Sequence, residues 1–215
     1  MRRHPLPMTV LVVLVAFALS GCAPLINRLP GHANAPCKSN SSTEQTVTPE
    51  LSEARAVAMP EDEFWQLIAV LDGSNSDAAY KRLTARLSIL PVEKLVGFDA
   101  QMTIALYGLD DECRAKWYRK HDPSGLGFVA DDDLLYVRGD TVSAGRATWE
   151  KAFATDTLPW GTVDPLSGGG ENLLYVAGDA ARTEFGTSDN DWFAKVQSAF
   201  ALSYETGSNP DGWSK

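Results

Sequence analysis

From Pro60 onward, apolar residues return every three or four positions, and each block stops at a glycine, a proline or a run of acids. That spacing is the period of one face of an α-helix. Pro60-Glu61-Asp62-Glu63 opens the first block, since proline suits a first helical turn and acids there meet the positive end of the helix dipole. Phe64, Leu67, Ile68 and Leu71 follow at helical spacing, with Trp65 beside them. Gly73-Ser74-Asn75-Ser76 ends this helix, and Asp77 is the expected cap of the next, where Tyr80, Leu83, Leu87 and Leu90 repeat. Pro91 closes that segment and opens a long apolar helix through Val92, Leu95, Val96, Phe98, Met102, Ile104, Ala105 and Leu106. Gly97 weakens its middle and Gly108 ends it.

Asp110-Asp111-Glu112 starts a further helix. Its apolar residues are Cys113, Trp117 and Tyr118, while Arg114, Lys116, Arg119 and Lys120 are expected to face water. His121 to Gly125 reads as a turn. Leu134-Leu135-Tyr136-Val137 fits either a short buried strand or a helix. Leu135, Val142 and Trp149 place one helical stripe from about Asp132 to Ala154. Gly139 and Gly145 each oppose it by about 1 kcal/mol relative to alanine. Beyond a Pro/Gly-rich loop, Leu173 to Asp179 repeats the pattern Leu-Leu-Tyr-Val-x-Gly-Asp of Leu134 to Asp140. Two copies are too few for a solenoid and read either as similar helix starts packed in one core or as an ancient duplication. A last amphipathic helix is expected over about Asp189 to Tyr204, and the Gly/Pro/Ser-rich residues from Thr206 read as loose.

The N-terminus supplies an address. A short cationic Met1 to His4 precedes an apolar run from Thr9 to Leu19, about the length of a secretory h-region. The apolar run from Met8 to Leu19 is too short for a membrane span of roughly 20 residues. Leu19-Ser20-Gly21-Cys22 then resembles the lipobox of bacterial lipoproteins. That resemblance implies cleavage before Cys22, a diacylglyceryl group on its thiol and an acylated amine, palmitate being the acyl group a label would follow. Several acyl chains, at roughly 0.8 kcal/mol per buried methylene, hold a protein on a bilayer. Lipoproteins retained at the inner membrane of enteric bacteria carry aspartate after the cysteine. Ala23 stands here, which for a Gram-negative source implies the periplasmic face of the outer membrane.

Composition bears on partners. Loss of Arg2 and Arg3 with the leader takes the formal net charge from −9 to −11. Such a chain repels nucleic acid, and it offers no polybasic patch to anionic lipid, leaving the acyl chains on Cys22 as its attachment to the bilayer. Residues 23–59 are broken by Pro24, Pro30, Gly31, Pro36 and Pro49 and read as a flexible tether, with some helical propensity over Glu50 to Met59. With Cys22 lipidated, Cys37 and Cys113 remain. They either bridge tether to domain or stay incidental, and their spacing does not decide between the two.

From Pro60 to about Gly186 the chain resembles a bacterial family, the domain of unknown function numbered 4240. The likeness rests on Glu61 to Ile68, Leu90-Pro91-Val92-Glu93, Phe98-Asp99, Trp117-Tyr118, Asp131-Asp132-Asp133, Tyr136-Val137-Arg138, Gly145-Arg146, Trp149 to Phe153 and Glu171 to Gly186. It implies an all-helical domain and no established activity. The chain departs from the family at Gly139-Asp140-Thr141-Val142, where relatives carry a Trp-Leu-Ile-like apolar run, so a weaker core and a broken helix are expected there.

The candidate chemistry is thin. Asp131, Asp132 and Asp133 form a carboxylate cluster of the kind that ligates calcium or magnesium, yet no calcium-loop spacing follows. Helix capping is the simpler reading. His121, with that acidic run, is the basis of an alternative reading as a metal-dependent or hydrolytic enzyme, although no nucleophile motif accompanies it. Arg138-Gly139-Asp140 matches an integrin-binding tripeptide and is better read as an internal contact of Arg138. Gly168-Gly169-Gly170 reads as a flexible linker. Trp65, Trp117 and Trp149 fall on apolar helix faces, whereas Trp160 and Trp213 fall in loops, where an indole can anchor an envelope protein, a glycan or a small ligand.

These observations predict an all-α protein in four parts. Residues 1–21 are a leader, 22–59 a lipidated cysteine and flexible tether, 60–204 one compact domain of about six helices, and 205–215 a loose tail. No cofactor and no metal ligands are expected. The preferred function is a non-enzymatic interaction or envelope role at a membrane.

Overall fold

A computed structural model describes residues 47–121, 130–158 and 169–213. Cys22, Cys37, Trp160, Gly168 and most of the tether lie outside these residues, as does the turn after His121. The described residues belong to one compact unit. They are all-helical, with nine α-helices rather than about six: α1 (Pro49–Val57), α2 (Glu61–Ile68), α3 (Asp77–Leu87), α4 (Val92–Tyr107), α5 (Glu112–His121), α6 (Asp131–Ser143), α7 (Arg146–Thr155), α8 (Gly169–Phe185) and α9 (Asp189–Ala199). No described helix is long and apolar enough to cross a membrane.

Helix α4 is the central element, packed against α1, α2, α6, α8 and α9. Its apolar residues point to more than one face, so Leu95, Phe98, Met102 and Leu106 are all fully buried. Around it, Phe64 and Ile68 of α2, Leu83 and Leu87 of α3, and Leu173 and Val176 of α8 close one core. Each such side chain contributes roughly 1.5–3 kcal/mol by leaving water.

Five expectations are corrected. The domain starts before Pro60: α1, expected within the tether, is capped by Thr48, whose Oγ1 accepts from Leu51 N–H at 3.2 Å, and it buries Leu51 and Ala54 completely against α4. Ser76, not Asp77, caps α3 through Ala79 N–H. The stripe from Asp132 to Ala154 is two helices, because Gly145 takes φ +96° between α6 and α7, a backbone position that favours glycine. The last helix stops at Ala199, and Phe200 turns to extended backbone with φ −159°. Finally, Arg114 does not face water. It is 3% exposed, donates to the carbonyls of Ala152 (3.1 Å) and Phe153 (2.6 Å) and pairs with Asp111 and Asp156. Burial lowers its pKa to about 10.

The region expected to be weak is the tightest in the fold. The two Leu-Leu-Tyr-Val-x-Gly-Asp helices, α6 and α8, form the most extensive helix pair. Gly139 does not break α6; it lies against the backbone of Gly170, so closely that a methyl group on either residue would collide with main chain. Gly169 and Gly170 are therefore not a linker but the buried first turn of α8.

The tail is also ordered. Asp110, 1% exposed, follows α4 and accepts from Gly207 N–H (3.1 Å), Trp213 Nε1 (3.0 Å), Asn209 N–H (3.0 Å) and Ser208 Oγ (3.3 Å). Arg138 stands 3.6 Å from the same carboxylate. It donates to Leu106 O at 3.1 Å and Thr206 Oγ1 at 3.0 Å, an internal contact as read from the sequence. Residues 206–213 thus clasp the α4–α5 turn. Polar residues that looked loose find buried partners there.

Candidate functional site

Helices α4, α8 and α9 and the non-helical residues 200–205 line an open cavity of about 790 Å³. That falls within the size range of small-molecule sites, roughly 300–1,000 Å³. Asp99 of α4 lines it, with Thr103 one turn further on. Asp99 is 6% exposed, an unusual place for a carboxyl. The sequence puts it there because it sits inside the apolar run of the helix that the fold buries most deeply.

The hydrogen bond given to this carboxyl comes from an indole: Trp192 Nε1 donates to Asp99 Oδ2 at 3.2 Å. Trp192 is held in place by α9, whose N-terminus is capped by Ser188 through Asp191 N–H at 3.2 Å. Gly178 of α8 makes room for the indole, since a methyl group there would meet Trp192 Cδ1 at 3.0 Å. Burial raises the pKa of Asp99 to about 7, and the indole hydrogen bond opposes part of that rise. Burial and the nearby Asp99 push the Tyr204 hydroxyl up to about 12.

The walls are aromatic and the rim acidic. Tyr175, Trp192, Phe193, Phe200 and Tyr204 line the cavity, and Tyr175 and Phe193 are 55% and 61% exposed at its edge. Asp179, Asp189 and Glu205 carry the rim's negative charge. Among the described residues the one basic lining residue, Arg182, is shared between Asp179 at 3.2 Å and Asp189.

The sequence-derived candidates fall elsewhere. His121 ends α5, with Nδ1 2.7 Å from Trp117 O and its ring stacked on Trp117. Asp133 accepts from Ala130 N–H at 2.9 Å, a capping role. Asp131 and Asp132 are exposed in the same first turn. No group of three or more His, Cys, Asp or Glu residues is gathered as a metal site among the described residues. Trp213 is not a free anchor: it is half-buried, packs against the cluster of Ala115, Tyr118, Leu134, Val137 and Leu158, and gives its N–H to Asp110. Trp160 lies outside the described residues.

A family model described as "Protein of unknown function (DUF4240)" matches residues 59–182. The chain belongs to that family. No curated protein and no solved structure matches it. The cavity straddles the boundary of the DUF4240 match. Asp99, Thr103, Leu174, Tyr175, Gly178, Asp179 and Arg182 lie inside it, whereas Trp192, Phe193, Tyr204 and Glu205 lie beyond. The DUF4240 portion therefore supplies the acid, and the C-terminal residues supply the wall that faces it.

The signal for this site was present but weak. Asp99 is a lone acid among Leu95, Val96, Phe98, Ala100 and Met102. Its meeting with Trp192 is a contact across 93 residues, which no local pattern encodes.

Proposed function

We propose that this protein is a lipid-anchored binding domain of the bacterial cell envelope, with the Asp99 cavity as its ligand site. The observation that carries the reading is an aromatic-walled, ligand-sized cavity with a buried carboxyl set into it. The group bonded to that carboxyl is an indole, which neither takes up a proton nor attacks a substrate. Recognition accounts for this arrangement more simply than catalysis does. The anchor is Cys22, and the proposed site of action is the periplasmic face of the outer membrane. Cys113 is disulfide-bonded, which favours an exported, oxidising compartment.

The anchor is tested by labelling cells with palmitate. Wild type should take up label and fractionate with membranes, and Cys22→Ser should do neither. The site is tested with the neutral fluorophore N-phenyl-1-naphthylamine. It should bind saturably to wild type and at least tenfold more weakly to Gln197→Trp, which fills the cavity from an exposed position. Membrane retention of Cys22→Ser would overturn the anchor, and equal binding by Gln197→Trp would overturn the site.

A further inference from the structure

Taking the cavity as a binding site, we infer that its ligand is a small organic cation, an ammonium-type nitrogen on a compact apolar body, seated on Asp99 between Trp192 and Tyr204. Three observations converge. Among the described residues the lining acids are Asp99, Asp179, Asp189 and Glu205, against Arg182, whose guanidinium is already engaged by Asp179 and Asp189. An anion entering here meets uncompensated negative charge, whereas a cation relieves it. Trp192, bonded to Asp99 through its N–H, and Tyr204 both line the cavity beside that acid, and aromatic rings attract desolvated cations. Leu174, Val196 and Leu202 line the same space, giving an apolar body somewhere to go.

The buried acid also gives this recognition a pH signature. Asp99 must be ionised to pair with a cation, and its pKa is about 7. Below that pH, binding has to expel a proton, so affinity falls about tenfold per pH unit; above it, affinity levels off. Tyr175 and Tyr204, Asp179, Asp189 and Glu205, and Arg182 are the other titratable or charged groups around the cavity. Asp99 is the group whose burial raises its carboxyl into this range.

The test uses three ligands of matched size on the full mature chain in detergent, followed by titration calorimetry: phenethylammonium, neutral 2-phenylethanol and anionic 3-phenylpropionate. At pH 8 phenethylammonium should bind at least tenfold more tightly than either other compound. Its affinity should drop at least tenfold by pH 5.5, and Asp99→Asn should lose both the preference and the pH dependence. The wild-type ligand series and pH series need no variant, so they remain decisive if Asp99→Asn does not fold. Equal or tighter binding of the alcohol or the carboxylate would overturn the cation inference and leave the cavity a binding site. An amine affinity independent of pH would remove Asp99 as its seat. No binding by any of the three at millimolar concentration would overturn the binding site itself.

Discussion

Trp192 Nε1 lies 3.2 Å from Asp99 Oδ2, joining α9 to the most buried helix of the domain through one polar contact. A neutral carboxyl suits this environment better than a carboxylate, because burial disfavours the charged form. The folded-state pKa is about 7, against an ordinary 3.8. Between those values the folded chain binds more protons than the unfolded one. Stability is therefore fully present below about pH 4, is lost progressively up to about pH 7, and is level beyond.

Asp99→Asn keeps the shape and removes the titration. Its unfolding free energy should vary less over pH 4–7 than that of wild type, and at pH 8 the variant should be the more stable by roughly 2–4 kcal/mol, at 1.36 kcal/mol for each tenfold change in the ionisation equilibrium. Urea melts at pH 4.5, 6 and 8 measure this. Parallel curves for the two proteins would show that Asp99 stays ionised or stays solvated.

Gly170 makes the second prediction. A methyl group there would run into Tyr136 O, which is backbone and cannot swing away. Gly170→Ala should cost about 2–4 kcal/mol, through forced separation of α6 and α8. Gly108→Ala is the control. Its methyl group would meet Ile104 O and Trp149 Cζ2 at 3.5 Å, an ordinary contact, and the change should stay within about 1 kcal/mol of wild type. Equal melting of the two variants would mean that α6 and α8 part without cost.

Much of the helical plan was legible because it is local. Phe64, Leu67, Ile68 and Leu71 declare a buried face by spacing alone, and all four are buried. What stayed hidden depends on partners far along the chain. Arg114 sits among charged residues on α5 and reads as solvated, yet the carbonyls at the end of α7 draw it inside. Gly139 reads as a weakness because only the fold brings Gly170 against it. Leu51 and Ala54 are too few to reveal α1 as core, since its other residues are polar or small. The candidate site was missed for the same reason: its buried acid comes from α4 and its aromatic wall from α8, α9 and residues 200–204.

The clasp on Asp110 yields the third prediction. Its carboxylate holds two backbone N–H groups, a hydroxyl and an indole of residues 207–213, and it faces the buried Arg138. Burial lowers the pKa of Arg138, and Asp110 works against that fall. Asp110→Ala would strand the guanidinium away from water without its counter-charge, a loss of about 3–5 kcal/mol. Ending the chain after Tyr204 removes the donors and uncovers Asp110, but lets water reach both charges. That truncation should cost less than Asp110→Ala while speeding hydrogen exchange at the C-terminal turn of α4. Denaturant midpoints together with amide exchange separate the two effects. A truncated chain with wild-type stability and wild-type exchange in α4 would return residues 206–213 to the loose tail that their composition suggests.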